Sequence, residues 1–77
     1  MRDVTIGGPY RHFKGAIYNV LAVARHTDTL EELVIYSDLK GCVWARSKTE
    51  FLSRVDKEQY PDATQEYRFE LIRTDLN

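Results

Sequence analysis

The alternation of apolar and polar residues divides most of the chain into short predicted β-strands. Residues 16–25 (AIYNVLAVAR) are rich in Ile, Tyr and Val and contain neither Gly nor Pro, which favours a strand over the helix that the alanines would also allow. Residues 32–39 (ELVIYSDL) and 42–46 (CVWAR) predict two more strands, joined by a turn at Lys40-Gly41. The pattern indicates an antiparallel sheet.

The same alternation predicts which side chains share a face of the sheet. In residues 16–25 the even positions are all apolar, so Tyr18, Val20 and the alanines that follow are expected to face the core together. In residues 42–46, Trp44 and Arg46 share one face because successive side chains of a strand point to opposite sides.

The second half of the chain predicts one short helix and one more strand. Residues 48–55 place apolar side chains at helical spacing after a cap at Ser47 or Thr49. Residues 56–65 are polar and contain Pro, which predicts a loop, and residues 66–73 (EYRFELIR) alternate regularly as a last strand.

These elements predict an all-β, mainly antiparallel fold. The expected architecture is a small SH3-like barrel or roll of four to five strands with one short helical turn before the last strand, and an OB-like barrel is the alternative. Gly7-Gly8-Pro9 is expected to exclude helix and central strand at that point. The predicted organisation is an N-terminal arm (residues 1–8), one domain (residues 9–73) and a C-terminal tail (residues 74–77).

Composition narrows the class of protein. The net charge of −1 argues against a strongly basic nucleic-acid binder, although residues 1–26 and 40–54 each carry four basic residues against one acidic residue. Cys42 is the single cysteine, so no disulfide scaffold is expected. No apolar run is long enough for a membrane helix and the N-terminus lacks a signal-like apolar region, which predicts a cytoplasmic protein without membrane contact.

Catalytic and metal-binding patterns are absent from the sequence. His12 and His26 are 14 residues apart and a lone cysteine accompanies them, which is not the paired spacing of a zinc site. Neither a phosphate-binding glycine loop nor a hydrolase motif occurs. The sequence therefore predicts no catalytic residue, no metal and no cofactor.

The other candidates for a functional site are aromatic and basic residues. Such residues stack on bases, grip phosphates and dominate protein interfaces, although several of these rings are also candidates for filling a small core. The candidate binding residues are Tyr10, Arg11, His12, Lys14, His26, Tyr36, Trp44 and Arg46.

Several of these residues belong to an ordered set of motifs. YRHFKG at residues 10–15 is followed by Y-x-V, A-x-H-T, LVIY, W-x-R, a phenylalanine and a closing R-F, at Tyr18, Val20, Ala24, His26, Thr27, residues 33–36, Trp44, Arg46, Phe51, Arg68 and Phe69. Over roughly residues 9–72 this combination resembles the bacterial domain family of unknown function DUF1653. The resemblance implies an SH3-type β-roll and no activity. Ser47 departs from the family pattern, which has proline there, and predicts a looser exit from that strand.

Two functional hypotheses of different classes follow. The first is a non-enzymatic binding or adaptor module of the bacterial cytoplasm that recognises a peptide, a protein or an RNA segment through the aromatic and basic residues. The second is a small-ligand sensor or enzyme that uses His12, His26 and Arg46 in a pocket or at a dimer interface. The sequence leaves monomer and homodimer open.

Overall fold

Five strands and one turn of helix form within residues 2–73, the part of the chain that this computed structural model describes. The elements are β1 (Pro9–His12), β2 (Ile17–Arg25), β3 (Glu32–Asp38), β4 (Val43–Ser47), α1 (Lys48–Phe51) and β5 (Phe69–Leu71). All neighbouring strands are antiparallel, and the sheet order is β4-β3-β2-β1-β5. The predicted tail at residues 74–77 lies outside the described residues.

The all-β class is confirmed, but the sheet does not close into a barrel. Within the described chain β4 pairs with β3 alone and β5 pairs with β1 alone, so both strands are edges. Closure would require β4 to meet β5. The chain between α1 and β5 instead runs as turns and loop, and the isolated Arg54–Tyr67 bridge joins the two ends of that segment. The SH3-like barrel is therefore replaced by an open five-stranded sheet.

The segment expected to exclude a central strand in fact begins one. β1 starts at Pro9 and lies between β2 and β5, so the prediction for Gly7-Gly8-Pro9 is wrong at its last residue. Proline is tolerated because it occupies the first position of the strand, where a missing N–H is least costly. Its carbonyl accepts a hydrogen bond from the Ile72 amide (2.8 Å), and the Gly8 carbonyl accepts one from Val20 (3.1 Å).

A bulge in β2 changes which residues face the core. The β2–β3 register shifts between Val20 and Ala22, so Val20 opposes Tyr36 whereas Val23 opposes Val34. An extra residue in one strand reverses the facing of all that follow it. The predicted alignment of Ala22 and Ala24 with Val20 is consequently wrong, and both alanines are exposed on the other face.

The two faces of the sheet differ in cover. The inner face carries the core, which α1 and the residues after it cover. The buried apolar residues of the inner face and of this covering segment are Tyr10, Val20, Val34, Tyr36, Phe51, Val55 and Phe69. The outer face has no element packed over it within the described residues. Its exposed or half-buried apolar side chains at β2, β3 and β4 include Ile17, Ala22, Ala24, Leu33, Ile35, Val43 and Ala45.

The predicted helix and last strand are both shorter than expected. Ser47 caps α1, since its Oγ accepts a hydrogen bond from the Glu50 amide at 3.0 Å, but the helix ends after one turn at Phe51. The serine thus provides a defined exit from β4 rather than a loose one. The last strand covers only Phe69–Leu71, because the Glu70 carboxylate accepts hydrogen bonds from the Glu66 and Tyr67 amides and bends the chain before it.

Candidate binding surface

β4 presents Trp44 and Arg46 on the inner face, as their alternation predicts. The cross-strand register places Trp44 opposite Tyr36 and Arg46 opposite Val34. The Trp44 side chain is 51% exposed, and its indole N–H donates to Asp38 Oδ2 at 3.2 Å. This hydrogen bond, aided by those from the backbone of Cys42 and Lys40, holds the pKa of Asp38 below its usual value. A charged carboxylate therefore orients an exposed indole.

The Arg46 side chain crosses from the edge strand towards the aromatic core. Its Nε donates to the Tyr36 hydroxyl at 3.3 Å, and its guanidinium carbon lies 5.8 Å from the centre of the Phe69 ring. One further nitrogen, Nη1, is 3.5 Å from a carboxylate oxygen of Glu50. The guanidinium is thus held by a hydroxyl, a ring and one long ion pair, and it keeps donors available for a ligand.

His12 lies at the end of β1, opposite Phe69 of β5. Its imidazole contacts the Phe69 ring at 4.9 Å between centres and the Tyr18 ring at 6.4 Å. The Nδ1 atom accepts a hydrogen bond from the Lys14 amide at 3.1 Å, which leaves the proton of the neutral ring on Nε2. Burial is the largest cause that lowers the pKa of His12, and together with the charges of Arg68, Arg46 and Lys14, in that order of importance, it brings the pKa to about 4.

Arg68 joins this cluster although regular alternation over residues 66–73 predicts it on the face opposite to Phe69. Its Nε donates to Ser53 Oγ at 3.3 Å, while its carbonyl accepts from the Phe13 amide at 3.0 Å. The bend before β5 directs the Arg68 side chain towards His12. The regular alternation of residues 66–73 does not predict this bend. Phe13 in turn contacts Tyr60 at 4.9 Å between ring centres.

We call this patch the basic–aromatic surface. Its members lie on the inner side of the sheet, near the last residue of β1 and the first residues of β4. Lys14 extends the surface, with its Nζ 5.1 Å from the centre of the Tyr60 ring. The surface consists of His12, Lys14, Tyr18, Trp44, Arg46 and Arg68. Three cations around a neutral imidazole, with an exposed indole at the rim, can hold an anionic group by charge-assisted hydrogen bonds.

The structure brings together only part of the residues singled out from the sequence. His12, Lys14 and Arg46 lie close together on the basic–aromatic surface, Trp44 shares the inner face with Arg46 at the sheet edge, and Tyr36 supports the surface from the core. Tyr10 is 2% exposed and its hydroxyl accepts a hydrogen bond from the Thr5 amide (2.9 Å), so it is a core residue.

Arg11 and His26 lie elsewhere. Arg11 is exposed on the outer face, where its cross-strand neighbours are Ile17 and Glu70. His26 follows the last residue of β2, whereas His12 lies beside the first, and a nine-residue strand separates them by about 30 Å at ~3.3 Å per residue. The Nδ1 atom of His26 accepts hydrogen bonds from the amides of Asp28 (3.1 Å) and Thr29 (3.3 Å) and shapes the turn.

The environment of His12 predicts a pH effect on stability. We expect its imidazole to titrate near pH 4 in the folded protein, against 6.5 in the unfolded chain. As the pH falls, the unfolded chain takes up this proton at a higher pH than the folded protein does. The free energy of unfolding therefore has its full value, as far as His12 is concerned, above pH 6.5. It decreases as the pH falls towards 4 and then levels off.

Imidazole NMR signals followed against pH measure the titration, and urea unfolding at several pH values measures the effect on stability. His12→Asn is the matched control, since its side-chain oxygen can still accept from the Lys14 amide but does not titrate. The variant should lack the part of the pH dependence that lies between 4 and 6.5. A folded-state midpoint near 6.5 would contradict the prediction.

Residues 2–73 contain no group of three or more His, Cys, Asp or Glu side chains arranged to hold a metal ion. Within the same part of the chain, none of the helical structure has the length and apolar character needed to cross a membrane.

Comparison with known proteins gives one match. Searches of the curated proteins and of the solved structures return no match to this chain. A family model described as "Protein of unknown function (DUF1653)" matches residues 8–71, which include all five strands, α1 and the whole basic–aromatic surface. With most of its length covered by that model, the chain belongs to the DUF1653 family.

Proposed function

We propose that this protein is a non-enzymatic binding module whose basic–aromatic surface recognises an acidic segment of a partner protein. The observation that supports this proposal is the grouping of Lys14, Arg46 and Arg68 near His12. The Lys14 amide donates to His12 Nδ1 at 3.1 Å, the Arg46 guanidinium lies 5.8 Å from the Phe69 ring that His12 contacts, and the Arg68 carbonyl accepts from the amide of Phe13, next to His12. Among residues 2–73, Glu50 is the only carboxylate within ion-pair distance of these three cations, and it contacts Arg46 alone at 3.5 Å. An acidic ligand would supply negative charges to these cations, for which the described residues supply only Glu50.

Exposure and charge favour a protein segment over RNA. Stacking of successive bases needs several exposed ring faces, whereas Tyr36 is 5% exposed and Phe69 1% exposed. Trp44 is the one strongly exposed ring of the basic–aromatic surface, and tryptophan and arginine are both enriched in the hot spots of protein interfaces. A net charge of −1 also gives little long-range attraction for a long polyanion such as RNA, whereas a short acidic segment needs only the local group of three cations.

The alternative hypothesis, a sensor or enzyme with His12, His26 and Arg46 in one pocket, has less support. The two histidines flank opposite ends of β2, so a shared pocket would need two molecules. No observation on the described residues favours a reaction at either histidine.

The test is a set of amide NMR titrations at low salt with three probes. The probes are a short peptide rich in Asp and Glu, the same peptide with Asn and Gln in their place, and oligouridine RNA. We expect the acidic peptide alone to shift the signals of residues 12–14, 44–46 and 68. The doubly substituted variant Arg46→Gln/Arg68→Gln should bind it at least about tenfold more weakly, because each charge-assisted hydrogen bond contributes about 1.5 kcal/mol or more.

Arg11→Gln is the matched control, since it removes one positive charge from the outer face and should leave the affinity nearly unchanged. Shifts caused by RNA and not by the acidic peptide would replace the protein partner with a nucleic acid. No shift with any probe, or equal weakening by Arg11→Gln, would overturn the proposal.

A further inference from the structure

The two edges of the sheet are protected to different degrees. β5 is three residues long and follows a bend, so it offers little edge for another strand. β4 is five residues long and pairs with β3 in regular register without a bulge. It contains neither Lys nor Pro, and Val43 (60% exposed) and Trp44 are open to solvent. Edge strands with these properties pair readily with a further strand unless something blocks them.

The hydrogen-bond alternation shows which backbone groups of β4 point outwards. The Asp38 amide donates to the Cys42 carbonyl at 2.9 Å, so this in-register pair is hydrogen-bonded. Bonded and non-bonded pairs alternate in antiparallel strands, which makes Trp44 and Arg46 the residues bonded to β3. The N–H and C=O groups of Val43 and Ala45 are therefore directed away from the sheet, at the free edge.

We propose that β4 pairs with β4 of a second copy of this chain, antiparallel, about a two-fold axis at Ala45. Ala45 is the midpoint of Val43–Ser47, so an axis there pairs the whole strand with itself. Ala45 also has its backbone groups directed outwards, so the two copies of this residue can exchange both hydrogen bonds. An isologous contact of this kind closes after two subunits, whereas pairing to an unlike edge would continue into a fibre.

The side chains that this register brings together are complementary. Trp44 of each copy lies opposite Arg46 of the other, at a non-hydrogen-bonded position where the α-carbons are only about 4.5 Å apart. Guanidinium and indole form a favourable cation–π pair once the Arg46 side chain turns from the Tyr36 hydroxyl to the indole of the second copy, and the symmetry produces this pair twice. Val43 lies opposite Ser47 and Ala45 opposite itself, so no two like charges face each other. This self-complementarity distinguishes a second copy from an arbitrary strand.

The dimer would extend both faces of the sheet across the axis. The two basic–aromatic surfaces would lie side by side on the inner face, although the inference does not depend on what those surfaces bind. A single pair of five-residue strands buries less area than the roughly 1,200 Å² of a standard interface, so the association is expected to be reversible and concentration-dependent.

Sedimentation equilibrium of the full chain up to about 1 mM measures the association directly. We expect a monomer–dimer equilibrium and no higher species. Ala45→Pro should remove it, because proline deletes an N–H that the monomer does not use and that the dimer needs twice. An amide NMR spectrum of the variant, in which residues 9–73 keep their dispersion, shows that the fold is retained.

A charge exchange at the same position tests the register and remains informative if the proline variant fails to fold. Ala45→Glu and Ala45→Lys should each weaken self-association about five- to tenfold, because two like charges then face each other across the axis. An equimolar mixture should form a heterodimer at least as strong as the original dimer. Leu39→Glu, at an exposed position outside β4, is the control and should leave association unchanged.

Three outcomes would overturn the inference. They are a monomer throughout the concentration range, a dimer that Ala45→Pro leaves intact, and a mixture of the charged variants that does not associate. A monomer that binds the acidic peptide through β4, with loss of binding in Ala45→Pro, would assign the edge to a peptide strand instead. If the unsubstituted chain dimerises but does not bind the acidic peptide, the proposed function is wrong and the dimer is confirmed.

Discussion

Replacing Phe69 by alanine is expected to bring the domain close to complete unfolding. The ring is 1% exposed and stacks on Phe51 with 4.2 Å between centres and 8° between planes. It also contacts Tyr36 at 5.5 Å and His12 at 4.9 Å. Truncating a buried phenylalanine costs about 3–5 kcal/mol, most of the free energy of unfolding available to a domain of this size.

Urea unfolding followed by circular dichroism and by Trp44 fluorescence measures this loss. Leu39→Ala is the control, since that side chain is 74% exposed and its truncation should change the free energy of unfolding by less than about 0.5 kcal/mol. A loss below about 1 kcal/mol for Phe69→Ala would show that the aromatic cluster does not hold the sheet to α1.

The second large effect is expected at Arg2, in the arm that precedes the sheet. Its Nη2 donates to the Phe69 carbonyl at 2.7 Å, and its guanidinium carbon lies 3.9 Å from the centre of the Tyr67 ring. Hydrogen bonds from charged groups contribute about 1.5–3 kcal/mol and a partly exposed cation–π contact about 0.5–1 kcal/mol. Arg2→Ala should therefore lower the free energy of unfolding by about 2–3 kcal/mol.

Two further variants separate the causes of that loss. Arg2→Lys keeps the charge but lacks the planar group, and it should recover less than half of the loss. Arg11→Ala removes an exposed arginine on the outer face and should cost less than about 0.5 kcal/mol. Equal stability of Arg2→Ala and Arg11→Ala in urea unfolding would contradict a role for the arm in closing the core.

The arm shows why these contacts are invisible from sequence. Residues 2–6 form no strand, and their composition alone suggests either a loose arm or a short edge strand. In the folded domain Arg2 reaches Phe69, the Thr5 amide donates to Tyr10, and Val4 packs against the core cluster. The contact of Arg2 with Phe69 joins residues 67 positions apart, and their proximity depends on the β1–β5 pairing, which no local pattern encodes.

The positions of some residues of the candidate surface follow from local sequence patterns, whereas those of others depend on tertiary contacts. The placement of Trp44 and Arg46 on one face follows from alternation within a single strand, and the structure agrees. Arg68 was missed because the bend before β5, made by the Glu70 carboxylate, turns it towards His12. Tyr10 is a core residue for a related reason, since β1 became an interior strand only by pairing with β5.

By itself the sequence determined β2, β3, β4, the turns that join them and the all-β class. Those elements are local: β-branched and aromatic residues alternate over five to nine positions, and turn residues separate them. Tertiary structure alone decided the central place of β1, the bulge at Leu21, the short β5 and the open sheet. The central place of β1 depends on hydrogen bonds between residues about 50–60 positions apart, the bulge depends on the pairing of β2 with β3, and the short β5 depends on the bend held by the Glu70 carboxylate. The free energy of the pairings between strands appears only when the chain is folded.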